Sequence, residues 1–484
     1  MTPCYKKQVL LVWLLLLPYL CFLQGEDLSL LLERQMPKWQ KQFRVPGASI
    51  ALIEEAQLVW AEGFGKADAG KPGRVRPSSI FNAGPIATTV TAWGIMKLVE
   101  QGRLDLDAPV ERYLERWQLP PSRFDHSKVT IRRLLSHSGG FPASDFPVRH
   151  EPDAVPLLKP LLSGIADDLP PVHVAYPPGT QFLYSKPGYS LLAMVIEDVT
   201  GDSFASFIER EIFLPLKMRN SYFDAGEVPS SRFASPHDHH GQPLPRQYDN
   251  QPAAEGFHTT ALDLTRLVAA GLPNLQFAVR GYPVIERSTI QQMQRPYVSV
   301  NGRQGFGATH YGLGYFLDLS PGEVTVLFNG GYHSPGWYCY FFAIPETGDG
   351  LVVLTNSHNG LALTHSIAKQ WARSLHIAPP LLIQNLDSSR RFLWGAMIAG
   401  ALLCFFILSI LLKDFRRGLR RLARKQWPLR LTTLLAIGII TILAWTEGRE
   451  RLLDWHPHLW HWPQVILSTL LGTIALLVVT EKKR

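Results

Sequence analysis

Cysteine is scarce in this sequence of 484 residues, and its placement excludes a domain held together by disulfides. Of the four cysteines, two lie within the first 25 residues and Cys404 lies in a late apolar run, which leaves Cys339 alone between residues 26 and 380. One cysteine cannot form a disulfide within its own domain, and a region of this length can bury enough core without one. Asn-x-Ser/Thr acceptors, internal repeats and low-complexity tracts are also absent. The lack of acceptors fits a bacterial exported protein.

What is present at the start is a pattern typical of a secretion signal. Two lysines precede an apolar run over residues 9–23, and an acidic pair follows it. We therefore expect residues 1–25 to be a signal peptide and the chain after it to be exported. Leu23 and Gly25 are unusual at a cleavage site, so an uncleaved anchor stays open as an alternative.

Three apolar segments occupy the other end of the chain, at residues 392–412, 429–445 and 465–480. Each is close to the length that a helix needs to cross about 30 Å of hydrocarbon. We expect three transmembrane helices here. A tether that begins at residue 381 should join them to an exported domain over residues 26–380.

Basic residues are concentrated between the first two apolar segments. Residues 413–430 hold eight lysines and arginines and one acid, Asp414, which nearly accounts for the formal net charge of +8. Such loops stay in the cytoplasm. The loop and the C-terminus should therefore be cytoplasmic and residues 26–380 periplasmic, in a bacterial inner membrane. This charge indicates membrane lipid as a partner, and we expect no nucleic-acid partner.

The periodicity of residues 26–380 mixes strand and helix signals. The predicted elements are a hairpin over residues 48–61, helices over 86–100 and 189–212, strands over 311–317, 324–328, 337–344 and 351–355, and a closing helix over 361–375. Strands at both ends with helices between them predict a mixed α/β (α+β) fold. We expect an antiparallel sheet flanked by helices, a helical subdomain, and then the three transmembrane helices.

A series of short motifs follows the order found in one family of hydrolases. They are Val45-Pro46-Gly47-Ala48-Ser49, Gly102-Arg103-Leu104-Asp105, Leu134-Leu135-Ser136-His137-Ser138-Gly139, Pro178-Gly179-Thr180, Tyr311-Gly312-Leu313-Gly314-Tyr315 and Ser334-Pro335-Gly336-Trp337. On these residues the chain resembles the serine β-lactamases and penicillin-binding-protein-like hydrolases, particularly their class C, esterase and D-aminopeptidase branch. The resemblance spans essentially all of residues 26–380. The layout is also similar to that of the membrane peptidases that activate colibactin-type prodrugs.

The resemblance places the nucleophile as a serine at a helix N-terminus, with a lysine one turn later. That spacing puts both side chains on one helix face, where the lysine takes the serine proton. Aligned on Phe81 and on Thr91-Ala92, the serine position reads Pro85 and the lysine position reads Thr88. Proline carries no nucleophile, although it fits the first turn of a helix, and threonine cannot serve as the base. We therefore predict that the fold is kept and that serine acyl transfer is lost.

The two remaining motifs also depart from the family pattern. Tyr184 matches the tyrosine of the Tyr-x-Asn motif and is predicted to be vestigial, whereas Lys186 replaces the asparagine. Lys186 either restores a positive charge to the cleft or is a solvated lysine at its rim. Asn329 stands in place of the basic residue of the third motif, and His333 offers an alternative alignment there. Ser185 and His333 are the candidate binding residues.

These replacements lead to two functional hypotheses. The first is a pseudoenzyme, a binding or accessory protein for a peptide, cell-wall or acylated small-molecule ligand, or for an envelope protein. The second is a serine hydrolase (peptidase, amidase or esterase) with relocated catalytic residues, for which Ser185 and Lys186 are candidates. Neighbouring residues of an extended segment point to opposite faces, which disfavours that pair. No cofactor or metal is expected, because the histidines of residues 455–462 lack a recognised ligand spacing and fit an interfacial aromatic belt.

Overall fold

The computed structural model describes residues 27–142, 158–165, 170–248, 251–272, 284–300, 307–320, 324–417, 420–422 and 480–482. The predicted signal peptide at residues 1–25 lies outside them, as do the predicted span 429–445 and all of the span 465–480 except Thr480. In the described chain, helices cover both faces of an antiparallel sheet. The mixed α/β fold expected from the sequence is therefore confirmed in this respect.

Within the described ranges, eight strands form one antiparallel sheet with the order β2-β1-β10-β9-β8-β7-β6-β5, and two further pairs, β3–β4 and β11–β12, stand apart from it. The strands are β1 (Gly47–Glu54), β2 (Gln57–Gly65), β3 (Phe81–Gly84), β4 (Phe257–Thr259), β5 (Val298–Ser299), β6 (His310–Tyr311), β7 (Phe316–Asp318), β8 (Val326–His333), β9 (Trp337–Ile344), β10 (Asp349–Thr355), β11 (Arg420–Leu422) and β12 (Thr480–Lys482). Because β1 pairs with β10, the sheet joins the two ends of the domain, as predicted.

The helices are α1 (Leu28–Phe43), α2 (Ala87–Glu100), α3 (Ile131–Leu135), α4 (Leu158–Leu162), α5 (Lys186–Thr200), α6 (Phe204–Ile208), α7 (Pro252–Glu255), α8 (Ala261–Ala270), α9 (Arg287–Met293), α10 (Gly360–Ser374) and α11 (Leu381–Arg416). The helices predicted over residues 86–100 and 361–375 are α2 and α10. The helical region predicted over residues 189–212 overlaps α5, which begins earlier, and includes α6; the two helices are separated at Gly201. That glycine caps α5 with φ +77°, a conformation that favours glycine.

Strand β1 shows why the sheet is covered on both faces. Successive side chains of a strand point to opposite faces. Ile50 and Leu52 pack in one core cluster with residues of α1 and α10, whereas Ala51 and Ile53 pack in the other cluster with residues of α2 and α5. Both faces of β1 are therefore buried, and α2 lies on the face opposite to α1 and α10.

Two predicted strands differ from the structure in extent. The segment 311–317 is not one strand: β6 and β7 are short and are joined by a turn in which Gly314 has φ +85°. The strand predicted over residues 324–328 begins two residues later and continues as β8 to His333. This extension places Asn329 within the sheet, facing the start of α2.

The segment predicted to be a tether is helical. Helix α11 contains it together with the apolar run 392–412, and Leu382, Ile383 and Leu386 in its first turns are buried against the domain. Over the residues that the structure describes, no helix has both the length and the apolar character that crossing a membrane requires. Thr480, assigned from the sequence to the third span, begins strand β12.

Candidate active site

Pro85 lies buried in the turn between β3 and α2, where the resemblance places the nucleophile. Strand β8 passes close to this turn: a Cβ atom on Gly331 would lie 3.4 Å from Cγ of Pro85, and one on Gly84 would lie 2.6 Å from Cβ of His333. Gly84 also has φ +52°, so the close approach and the backbone both favour glycine. Proline has neither a hydroxyl nor a backbone N–H. Position 85 therefore supplies neither a nucleophile nor a donor to a developing oxyanion.

Thr88 and Asn329, the two positions where the resemblance expects basic residues, are hydrogen-bonded to each other. The Asn329 Nδ2 amide donates to Thr88 Oγ1 at 2.8 Å, and it also lies 2.8 Å from Thr89 Oγ1 and 3.1 Å from the Gly314 carbonyl oxygen. The hydroxyls donate onward, from Thr88 to the Pro85 carbonyl at 2.8 Å and from Thr89 to the Gly314 carbonyl at 2.7 Å. Thr88 and Asn329 are both 0% exposed. These neutral groups, called the Thr88–Asn329 network below, lie where the resemblance expects basic residues.

Tyr184 belongs to a cluster of aromatic rings around His137. The His137 ring centroid lies 4.2 Å from that of Tyr184, 4.7 Å from that of Tyr189 and 5.0 Å from that of Tyr311. The backbone N–H of Ser185 donates to His137 Nδ1 at 3.0 Å, so Nε2 carries the proton of the neutral ring. Complete burial lowers the pKa of His137 to about 3. Tyr184 thus packs against a neutral imidazole.

Ser185 caps the N-terminus of α5. Its Oγ accepts a hydrogen bond from the Gly188 N–H at 3.2 Å, and the residue is 4% exposed. Serine is a preferred residue for this role. The neighbouring Lys186 is the first residue of α5 and pairs with Glu255. The two candidates for a relocated catalytic pair therefore each have a structural partner.

Lys186, Glu255 and His333 form a cluster called the charged rim below, which borders the Pro85 turn. Lys186 Nζ lies 2.7 Å from Glu255 Oε1, and His333 Nδ1 lies 3.6 Å from Glu255 Oε2. Burial raises the pKa of Glu255, but contact with His333 and the charge of Lys186 outweigh burial and hold that pKa below its usual value. Lys186 is thus half-buried and paired with Glu255.

Three residues of the site are not evident from the catalytic motifs. Thr89 directly follows Thr88, and His137 lies within the Leu-Leu-Ser-His motif, so both have a local signal. Glu255 has none, because it stands in a short helix remote in sequence from Lys186 and from His333. Strand pairing brings it to the site: β4, two residues after Glu255, pairs with β3, which leads into Pro85.

Among the residues that the structure describes, neither a metal-ligand group nor a reactive thiol extends the site. In the described part of the chain, no three histidine, cysteine, aspartate or glutamate side chains are grouped so as to hold a metal ion. Residues 455–462, with their three histidines, lie outside the described ranges. Cys339 is buried, and burial raises its pKa to about 12, as suits a core residue.

A buried helix N-terminus facing a strand of an antiparallel sheet is the architecture of a class of serine hydrolases. The chain belongs to the Beta-lactamase family, whose profile matches residues 32–373. It is 27% identical over 335 residues to penicillin-binding protein 4 of Amycolatopsis lactamdurans, covering 66% of this chain and 84% of that protein. It is 26% identical over 200 residues to Protein flp of Staphylococcus aureus strain MW2, covering 41% of this chain. The match spans only 38% of the length of that relative.

Solved structures show the same fold. The octameric penicillin-binding protein homologue from Pyrococcus abyssi matches with a TM-score of 0.60 and 28% identity, over 72% of this chain and 77% of that chain. A β-lactamase/D-alanine carboxypeptidase from Yersinia pestis matches with a TM-score of 0.56 and 21% identity, over 68% of this chain and 92% of that chain. The resemblance drawn from the motifs is therefore confirmed, together with its serine-hydrolase fold.

Proposed function

We propose that this chain is a membrane-anchored, β-lactamase-related binding or accessory protein without serine acyl-transfer activity. The observation that carries this proposal is the hydrogen bond between Thr88 and Asn329, at the two positions where the family's basic residues belong. A group that activates a serine has to accept its proton. Neither a threonine hydroxyl nor an asparagine amide does so at neutral pH, and Pro85 offers no nucleophile.

The Thr88–Asn329 network also supports a site that is stable without its bases. Buried polar groups are costly unless they are hydrogen-bonded. Here the Asn329 amide donates to both hydroxyls, which donate in turn to the Pro85 and Gly314 carbonyls. A lysine placed at Thr88 or Asn329 would break these hydrogen bonds, and burial would favour its neutral amine form. The replacements are therefore mutually consistent, as expected of a fold kept for binding.

The charged rim supports recognition of a ligand at the same place. Lys186 and Glu255 present opposite charges side by side, with their side chains 21% and 15% exposed. Such a pair can exchange its internal contact for the carboxylate and the amino or amide groups of a peptide, a cell-wall fragment or an acylated amino acid. An envelope protein that presents the same groups is the alternative partner.

Anchoring in a bacterial inner membrane, with residues 26–380 in the periplasm and the C-terminus in the cytoplasm, is part of the proposal. Support comes from the apolar run 392–412 within α11, where Leu402 and Phe405 are 65% and 71% exposed. Exposed apolar surface of this kind calls for a lipid or protein partner. Carbonate washing of cell membranes should leave the protein in the pellet, and its release into the supernatant would contradict anchoring.

Covalent labelling tests whether the protein lacks serine acyl-transfer activity. A fluorophosphonate or a fluorescent penicillin should not label the unaltered protein. Pro85→Ser combined with Thr88→Lys should become labelled at residue 85, because serine restores the hydroxyl and the N–H and lysine restores the base. Pro85→Ser alone is the matched control and should stay nearly unlabelled, since its serine has no base.

Stoichiometric labelling of any serine in the unaltered protein would overturn the proposal. Labelling of Ser185 in particular would favour the alternative hydrolase with relocated residues. Peptide mass spectrometry of the labelled protein distinguishes these outcomes, because it identifies the serine that carries the probe.

A further inference from the structure

A cavity of about 200 Å³ opens between α1, α10 and the first turns of α11. It lies on the face of the sheet opposite to α2, and none of its lining residues belongs to the Pro85 site. Trp39 and Phe43 of α1 form an aromatic wall, whereas His365 and Lys369 of α10 and Arg390 of α11 form a basic one. This space is many times the ~10–15 Å³ that a cavity needs to hold one water molecule. That is enough for a phosphate and the atoms attached to it.

The basic wall carries an excess of positive charge. Asp387 accepts from His365 Nε2 at 2.9 Å and also binds Lys369 Nζ, so one carboxylate holds both α10 side chains in place. Arg390 has no ion-pair partner among the residues that the structure describes, and it is exposed. Lys369 and Arg390 together with Asp387 leave one net positive charge, which suits an anion.

The position of the cavity relates it to the proposed membrane anchor. Arg390 precedes the apolar run 392–412 by two residues, which is about 3 Å along a helix. If that run enters the bilayer, the cavity opens at the level of the lipid headgroups. Trp39 in its wall is the residue type enriched at that level.

A second cavity, of about 210 Å³, adjoins the first and shares Leu361 and Leu386 with it. Its lining is largely aromatic and aliphatic, including Phe328, Tyr340 and Leu382. A basic cavity next to an apolar one matches an amphiphile that has a charged head and a hydrocarbon chain.

We propose that the first cavity binds the phosphate-bearing headgroup of an anionic membrane phospholipid. Arg390 and Lys369 donate hydrogen bonds to the phosphate oxygens, while Trp39 and Phe43 contact the carbon atoms next to it. This assignment rests on the proposed membrane anchoring but not on the proposed loss of catalysis.

Native mass spectrometry of the full-length protein, released from nanodiscs, tests this assignment. The nanodiscs contain phosphatidylglycerol as the probe at low mole fraction in phosphatidylcholine, and the retained phosphatidylglycerol is counted. Arg390→Gln should lower retention about tenfold, the loss expected for one hydrogen bond to a charged group. The matched control is Arg391→Gln, which removes the same charge one residue further on. Arg391 does not line the cavity, and its guanidinium bonds Ser388, so retention should stay near that of the unaltered protein.

Three outcomes would overturn the assignment. An equal loss in the Arg390 and Arg391 variants would show general attraction of anionic lipid to a basic helix end. An unchanged retention in both would show that the cavity takes no headgroup. Displacement of the lipid by inorganic phosphate at equal concentration would show a site for free phosphate. Failure of anchoring is recognised separately, because the unaltered protein would then not enter nanodiscs of phosphatidylcholine alone.

Discussion

Thr88→Val is the substitution that tests the Thr88–Asn329 network most directly. Valine keeps the shape of threonine but removes the hydroxyl, which donates to the Pro85 carbonyl and accepts from Asn329. Both bonds are buried, and the amide keeps two other acceptors, Thr89 and Gly314. A buried hydrogen bond contributes about 0.5–1.5 kcal/mol, and a partner left unsatisfied costs about 1–3 kcal/mol. We therefore expect the free energy of unfolding to fall by about 2 kcal/mol.

Thr265→Val is the matched control, since Thr265 is equally buried in a helix and makes one bond, to the Ala261 carbonyl within its own helix. Thr265→Val should lower the free energy of unfolding by about 1 kcal/mol or less. Guanidinium unfolding followed by tryptophan fluorescence measures this free energy for both variants. A double-mutant cycle with Asn329→Ala should give a coupling energy of about 1 kcal/mol for position 88 and none for position 265. If the two variants lose equal free energy of unfolding and neither couples to Asn329, the stabilising role of the Thr88–Asn329 network would be refuted.

Three further measurements follow from the buried titratable groups. Burial lowers the pKa values of His137 and His258 to about 3. The contribution that each neutral histidine makes to the free energy of unfolding should therefore be fully present above pH 6.5 and should fall by about 1.4 kcal/mol per pH unit on acidification. A free energy of unfolding that does not change between pH 6.5 and 4.5 would contradict this. Glu255→Gln should lower the melting temperature at neutral pH more than Glu54→Gln, a control at the exposed end of β1. This difference should shrink in acid, because the pKa of Glu255 is depressed and the stabilisation from its carboxylate is lost when the carboxylate is protonated. Cys339 should resist iodoacetamide at pH 8 in the folded protein and react once unfolded, as measured on its peptide, since burial raises its pKa to about 12.

Local features of the site could be predicted from the sequence because they depend on neighbouring residues. The three-residue spacing from Pro85 to Thr88 could be recognised from the sequence; in the structure Pro85 lies in the turn just before α2 and Thr88 in its first turn. The apolar runs that became β1 and β10 are short and bounded by turns, so their existence could be predicted. The extent of β8 could not, because its last residues, including Gly330 and Gly331, have little strand propensity and are held by pairing with β9.

The sequence alone determined that a proline stands at position 85 and a threonine at position 88, so position 85 carries no nucleophile and position 88 no base. Only the tertiary structure decided what surrounds them: the contact from Asn329 to Thr88 crosses 241 positions of the chain, and Glu255 reaches Lys186 by the pairing of β3 with β4. Such contacts depend on strand order and register, which the periodicity of a single segment does not specify. The neutral, hydrogen-bonded surroundings of Thr88 are therefore a property of the fold.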